Sequence, residues 1–306
     1  MKLPSRIRMR HLRAFLALSD HGSVTRAATA LNTVQPSVSR TLRELEDELS
    51  QSLFERTAHG MIMTRAGEML HRYAVAGMAQ IERGVQQVRN LDHKASVAIG
   101  ILPNVARTLV PSALLRFKQQ APDIDVRAYS APIPGQVIGL QRGELDFLVG
   151  RLIAIEQMTG ISFEQLYSEP LIFVVRAEHQ LLAREHATLA AIDEHIVVVP
   201  YPETIIRKEL DRFAFARGIT EFSKKIETIS FELARALLLS SDAVACLPIG
   251  AVKRELAEGT LVRLDISGDE LIGSVGLSFL TGRELSPAAA QLADAIRQEA
   301  KAYRGT

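Results

Sequence analysis

Apolar positions fall into two regimes along the chain. Up to about residue 92 they recur at helical spacing, and beyond residue 95 short apolar runs alternate with amphipathic stretches. The helical regime centres on residues 23–49, SVTRAATALNTVQPSVSRTLRELEDEL. Here Val38, Leu42, Leu45 and Leu49 recur at spacings of four, three and four and form one buried stripe. The opposite face carries Ser37, Ser39, Arg40 and Arg43. These short donors and long cations suit base edges and phosphates in a major groove. Pro36 fits the first turn of a helix, because its ring pre-sets φ and its missing N–H would be unpaired there. Ala27 and Ala28 let a preceding helix cross closely, and Asn32 can end that helix in the left-handed conformation. The acidic run Glu44, Glu46, Asp47, Glu48 is expected at the far end of the second helix, away from the groove-facing residues. The pattern predicts two helices joined by a tight turn. On pattern alone it serves a helix-turn-helix or an ordinary hairpin of core helices.

The flanks extend this head. Leu12, Phe15 and Leu16 share a face that packs under the pair, and Gly22 breaks that helix before Ser23, a candidate N-cap. Arg6, Arg8, Arg10 and Arg13 form either a phosphate-facing or a merely solvated surface. Residues 53–63 read as a β-hairpin turning at His59-Gly60, with Arg56 exposed. Thr64 then caps a long helix reaching about residue 92, in which Leu70, Ala74, Gly77, Ile81, Gly84, Val88 and Leu91 repeat as a heptad seam. Such a seam pairs two copies of the helix or packs it on its own domain.

From residue 95 the runs predict strands at 97–102, 124–128 and 145–149 with helices at 105–119 and 135–142. A second set gives strands at 171–175, 196–199, 225–227, 243–247 and 261–264 with helices at 205–217, 231–240 and 250–258, followed by a strand at 274–279 and a helix at 287–301. This order predicts two α/β lobes of parallel sheet covered on both faces, with crossovers near 151–163 and 267–274. Ligands of open parallel sheets sit beyond the strands' carboxyl ends, where helix N-termini present free N–H groups. That rule selects Pro103, Asn104, Ser130 and Arg151 in the first lobe, and Thr204, Arg207 and Phe231 in the second. Facing helix N-termini with two arginines favour an anion such as a carboxylate. Thr204 and Ser230 serve equally well as plain helix caps.

Composition sharpens this in three places. The 306 residues suggest about two domains, and no apolar run reaches the roughly 18–20 residues of a membrane span. With no secretory signal in view, a cytoplasmic, nucleoid-associated location and no membrane partner are expected. The net charge of +1 hides an asymmetry: residues 1–65 hold ten Lys/Arg against six Asp/Glu, and the rest 26 against 29. A basic head on a mildly acidic body is the footprint of a DNA-binding module. The single cysteine, Cys246, rules out an internal disulfide and sits in an apolar run as a core residue. GxGxxG, P-loop, GxSxG and HExxH motifs are absent and the eight histidines are scattered, so neither enzyme chemistry, a metal nor a cofactor is expected. A solute-binding module or enzyme with an unrelated helical head is the competing interpretation. A coiled-coil adaptor leaves the α/β lobes unexplained.

Three segments carry a family resemblance: MRHLRAFLALSDHGSVTRAATALN, TVQPSVSRTLRELEDEL and LFERTAHGMIMTRAG, most specifically Gln35-Pro36-Ser37-Val38-Ser39 and Leu53-Phe54-Glu55-Arg56. They resemble the N-terminal domain of LysR-type transcriptional regulators, and the likeness continues over essentially the whole chain. It implies a winged helix-turn-helix head at 1–64, a linker dimerisation helix at 65–92, and a two-lobed periplasmic-binding-protein-like effector domain at 93–306. Lobe I would take about 93–162 and 268–306, and lobe II about 163–267. Ser23, Gln35, Pro36, Ser37, Ser39, Arg40, Arg43, Arg56 and Thr64 are the implied contacts to double-stranded DNA, at an operator with dyad symmetry. The family often has arginine where this chain has His59, which weakens a phosphate contact there near neutral pH. GELDFLVGRL and YSEPLIFVVRAEHQL look like the branch that regulates protocatechuate catabolism, some of whose members respond to sugars. The resemblance therefore implies an effector in the interlobe cleft, of aromatic-acid or muconate type. It also implies a homodimer assembling to a homotetramer, contact with RNA polymerase, activation of a neighbouring operon and repression of its own gene.

Overall fold

A computed structural model describes residues 6–57, 60–89, 95–184 and 186–304. The chain divides into two compact units, one formed mainly by residues up to 91 and the other mainly by those from 92 on. The first holds α1 (Met9–His21), α2 (Val24–Ala30), α3 (Gln35–Leu49), the antiparallel hairpin β1 (Phe54–Thr57) and β2 (Gly60–Met63), and α4 (Arg65–Arg89). Val38, Leu42 and Leu45 of α3 meet Phe15, Leu18, Ala27 and Ala28 in one core. Leu45 is fully buried, and truncating it to alanine would cost about 2–5 kcal/mol. Gly22 ends α1 and Asn32 follows α2, both left-handed. Pro36 falls in the first turn of α3, which starts one residue earlier, at Gln35.

The hairpin is fastened to this core. The Met61 N–H donates to the Gly22 carbonyl at 3.0 Å, and a Cβ on Gly60, which has a φ of +128°, would lie 2.7 Å from that same oxygen. The helical head thus carries a two-stranded wing whose turn residues, Ala58 and His59, lie outside the described residues. The heptad seam divides along α4: Leu70 and Ala74 pack into the head's own core, whereas Ile81 is exposed. Leu91, residue 92 and the side chain of Val88 lie outside the described residues.

The second unit contains β3 (Ser96–Ile101), α5 (Leu109–Gln120), β4 (Asp125–Tyr129), α6 (Ile133–Gln141), β5 (Phe147–Arg151), β6 (Ile161–Arg176), α7 (Leu189–Asp193) and β7 (Val197–Val199). It continues with α8 (Ile205–Phe215), β8 (Lys225–Glu227), α9 (Phe231–Ser240), β9 (Val244–Pro248), α10 (Ile249–Ala257), β10 (Leu261–Arg263), β11 (Ile272–Leu280) and α11 (Pro287–Ala300). Strand order is β4-β3-β5-β11-β6-β9-β7-β8, with β10 beside β6. The β3, β4 and β5 pairings are parallel, as are those of β7 with β8 and β9. Those of β11 and β6 are antiparallel, so each lobe is mixed rather than all-parallel.

The long strand β6 joins the lobes. Residues 161–170 pair with β11, whereas Leu171–Val174 pair with β9. The chain therefore passes between lobes near residue 170, not near 163. The stretch ISFEQLYSEP mixes polar and apolar residues without clean alternation, so only its pairing makes it a strand. Beyond it, Leu171, Phe173 and Val175 enter one core and Ile172 and Val174 the other. A strand covered on both faces reads as an unbroken apolar run. Helix α5 begins at Leu109, later than the periodicity suggested, because Pro111 is tolerated only in a first turn.

Candidate nucleic-acid interface and ligand cleft

Helix α3 presents Gln35, Pro36, Ser37, Arg40 and Arg43 as exposed residues and Ser39 as half-buried, on the side opposite the Val38–Leu42–Leu45 stripe. Val34, the N-cap, is itself 65% exposed. Arg56 is exposed on β1, while its neighbour Phe54 is buried. A helix this polar on one face and anchored on the other can enter a groove, with a wing alongside.

Four details add to these expectations or depart from them. Ser23 occupies the N-cap of α2, but its hydroxyl makes no capping bond. The Thr64 hydroxyl accepts from the Gly67 N–H and donates to the Ser52 carbonyl, so it caps α4 as expected and also ties that helix to the segment before the wing. Glu46 accepts from the Leu53 N–H at 2.7 Å and anchors the entry to the wing. Glu44 is not remote from the polar face. It accepts from Arg40 Nε at 3.1 Å and from Arg10 Nη2 at 2.9 Å, and lies 3.3 Å from His11 Nε2. Burial alone would raise the Glu44 carboxyl, but the bonds from Arg10, His11 and Arg40 outweigh it and hold it below the usual range.

In the second unit a cavity of about 260 Å³ opens between the lobes. Its walls are the 102–104 turn, the 131–134 segment, Arg151, Ala154 and Gln157 from lobe I, and residues 200–201, 203–206, 229 and 231 from lobe II. Gly150 positions the first wall: a Cβ there would collide with Leu102, so only glycine lets the 102–104 turn lie on β5. Of the expected residues, Pro103, Asn104, Arg151, Thr204 and Phe231 line this space. Ser130 is exposed and lies outside it, although Ala131 and Pro132 beside it contribute. Arg207 does not reach it. Ile133, Gln157, Tyr201, Ile205, Ile206 and Ile229 also line it. Tyr201, Ile205 and Ile133 border strand ends or helix starts where the carboxyl-end rule already pointed. Gln157 and Ala154 come from the link after β5, which carried no sequence signal.

Both expected anion-binding arginines are already neutralised. Arg151, only 3% exposed, donates Nη2 to Glu209 at 2.6 Å and Nη1 to the Glu169 carbonyl at 3.0 Å. Arg207 donates Nε to Asp211 at 2.7 Å, and Nη1 both to Glu227 at 2.9 Å and to the Pro200 carbonyl. Burial alone would lower the Arg207 pKa, but its hydrogen bonds to Glu227 and Asp211 hold it above the ordinary value. The helix N-termini are weaker anion sites than expected. The Thr204 hydroxyl caps the Arg207 N–H, the Ser230 hydroxyl caps the Leu233 N–H, and Pro132 and Pro134 bring no N–H to the start of α6.

A polar seam starts at Asn104, one of the lining residues. Asn104 Nδ2 donates to Glu169 Oε2 at 2.9 Å, and Glu169 Oε1 accepts from the Gly250 N–H at 3.0 Å. Burial pushes the Glu169 carboxyl up despite those bonds. Cys246 is fully buried and its thiol is pushed up to about 12 by desolvation, so it is an inert core group. Among the described residues no cluster of three or more His, Cys, Asp or Glu could hold a metal ion, and no helix is long and apolar enough to cross a membrane.

Residues 9–68 match the bacterial regulatory helix-turn-helix protein model of the lysR family, and residues 92–301 match the LysR substrate binding domain. The HTH-type transcriptional regulator PcaQ of Agrobacterium fabrum is 35% identical over 297 residues, covering 96% of each chain. Among solved structures, ArgP from Mycobacterium tuberculosis superposes with a TM-score of 0.69 at 20% identity, over 98% of this chain and all of that one. Full-length CbnR complexed with its target DNA superposes at 0.54, also at 20% identity, over 96% of this chain and 100% of that one.

Proposed function

The chain belongs to the LysR family of DNA-binding transcriptional regulators with an effector-binding domain, and from that premise we propose how its own residues divide the work. Helix α3 reads bases with Ser37, Ser39 and Arg40, with Gln35 and Pro36 at its leading end, while Arg43 and Arg56 hold phosphates. The observation that carries this is the exposed polar face of α3 set directly opposite its buried apolar stripe. The outer half of α4, where Ile81 and Val85 are exposed, pairs two heads, and two dimers join as a tetramer. Two paired heads read a site with dyad symmetry.

The effector takes the interlobe cavity. Its walls of proline, isoleucine and phenylalanine fit the flat apolar body of an aromatic or muconate-type acid. Arg151 lines the cavity while Arg207 is held within lobe II, so the carboxylate of such an acid competes with Glu209 for Arg151. An effector shifts DNA binding only by its differential affinity for two states, with couplings of about 1–3 kcal/mol being typical. The output is activation of a neighbouring operon, through contact with RNA polymerase, and repression of the chain's own gene.

Footprinting on the DNA upstream of the chain's own gene tests this, at two salt concentrations, with and without benzoate, protocatechuate and cis,cis-muconate. A sequence-selective footprint that shortens with one acid supports the whole reading. A footprint indifferent to every acid removes the carboxylate effector and leaves the head.

A further inference from the structure

One carboxylate sits among two arginines and a histidine at the edge of the DNA-reading face. Glu44, at the third turn of α3, takes Arg40 from its own helix at 3.1 Å and Arg10 from α1 at 2.9 Å. It also lies against His11. His11 is 3% exposed; its Nδ1 accepts from the Arg8 N–H at 3.1 Å, and its Nε2 lies 3.3 Å from both Arg10 Nε and Glu44 Oε2. One oxygen of Glu44 therefore lies beside a buried group of α1, while both oxygens hold arginines. The two arginine side chains are 56% and 84% exposed. Free arginines at such exposure sample many rotamers, and a phosphate or a guanine edge must order them on binding. An acid facing DNA otherwise repels phosphate, so its presence there calls for a gain elsewhere.

We propose that Glu44 is a positioning residue of the DNA-reading face: it presets Arg40 and Arg10 as a pair, trading overall affinity for discrimination between sequences. Arg10 thereby joins the interface as a contact supplied by α1. The inference rests on the reading of α3 as the groove-entering helix. It adds to that reading the device that orients its principal cation. A bare cation attracts any duplex, whereas a cation held at a fixed position rewards only the sequence that places an acceptor there.

The test uses the full chain and two duplexes: one selected by the wild-type protein from a random library, and its scrambled counterpart. Selectivity is the ratio of the two affinities, measured well below the melting temperature of every variant. Glu44→Gln and Glu44→Ala are expected to bind the scrambled duplex as tightly as wild type or more tightly, and to lose about three- to fivefold in selectivity, the range of an ion-pair contribution. Arg10→Ala leaves Glu44 and Arg40 in place and is expected to lose part of the selectivity as the other half of the preset pair, whereas equal weakening of both duplexes would overturn its membership of the pair. If Arg40→Ala loses selectivity while both Glu44 variants keep it, the positioning role is overturned. Parallel loss on both duplexes in the Glu44 variants makes Glu44 merely structural, and also overturns it. If Arg40→Ala itself keeps wild-type selectivity, the reading of α3 has failed, and the positioning role with it.

Discussion

Two pairs of arginines set the head against the sensor. Arg40 and Arg10 are mostly exposed and share one half-exposed carboxylate, so each can exchange that partner for a phosphate or a base at small cost. Arg151 and Arg207 have side chains 2% and 9% exposed and hold Glu209, Asp211 and Glu227. Releasing either uncovers a charge in a poorly solvated place. The same residue type thus does opposite work. In the head it is a ligand-seeking group on a rigid helix; in the sensor it holds secondary structure and lobes together. Burial and prior pairing separate the two roles, and neither is visible in a motif.

The largest effect expected from this contrast is on stability. Arg151→Ala leaves Glu209 without its buried partner and should destabilise the effector-binding unit by about 3–5 kcal/mol, read as a lowered midpoint of that unit in denaturant. An unchanged midpoint would place Arg151 with the exposed, exchangeable cations. Next in size, Arg40→Ala should cost about 1–3 kcal/mol of binding to a selected duplex and relax preference at one base position, seen by repeating the selection with the variant. A uniform loss over all sequences would reassign Arg40 to phosphate. Thr204→Ala removes the hydroxyl that caps α8 and should lower stability by about 1 kcal/mol, with effector affinity following only as far as folding does. Loss of effector binding at full stability would instead make the hydroxyl a ligand contact. Smallest of all, Arg56→Ala should weaken specific and scrambled duplexes equally and lower the salt slope by about one. A change in base preference would move the wing from backbone to base contact.

How far the sequence reached differs between these regions for physical reasons. The α3 stripe, the αL turn at Asn32 and helix α9 at Phe231–Ser240 were legible, because periodicity and turn chemistry are local. The two-sided core of β6 was legible from LIFVV alone. Its first half was not, because residues 161–170 become a strand only by pairing with β11, more than a hundred residues away. The short helix Leu189–Asp193 is too brief to show a period and is fixed by its Thr188 cap. In the cleft, the carboxyl-end rule found the right loops but not the state of the side chains on them. That Arg207 faces Asp211 and Glu227, and Arg151 faces Glu209, depends on partners up to 58 residues apart. Glu44 was misplaced for a related reason: along the sequence it belongs to an acidic run, yet one helical turn brings it back to Arg40.

The most direct test of this division measures DNA affinity and thermal melting on the same samples of Arg40→Ala and Arg151→Ala. Arg40→Ala should lose selective DNA binding with its melting unchanged. Arg151→Ala should melt earlier, yet bind DNA as wild type does wherever it remains folded. The reverse pattern, with Arg40→Ala destabilised and Arg151→Ala stable but unable to bind the selected duplex, would contradict the assignment of exposed arginines to DNA reading and buried ones to the framework of the sensor.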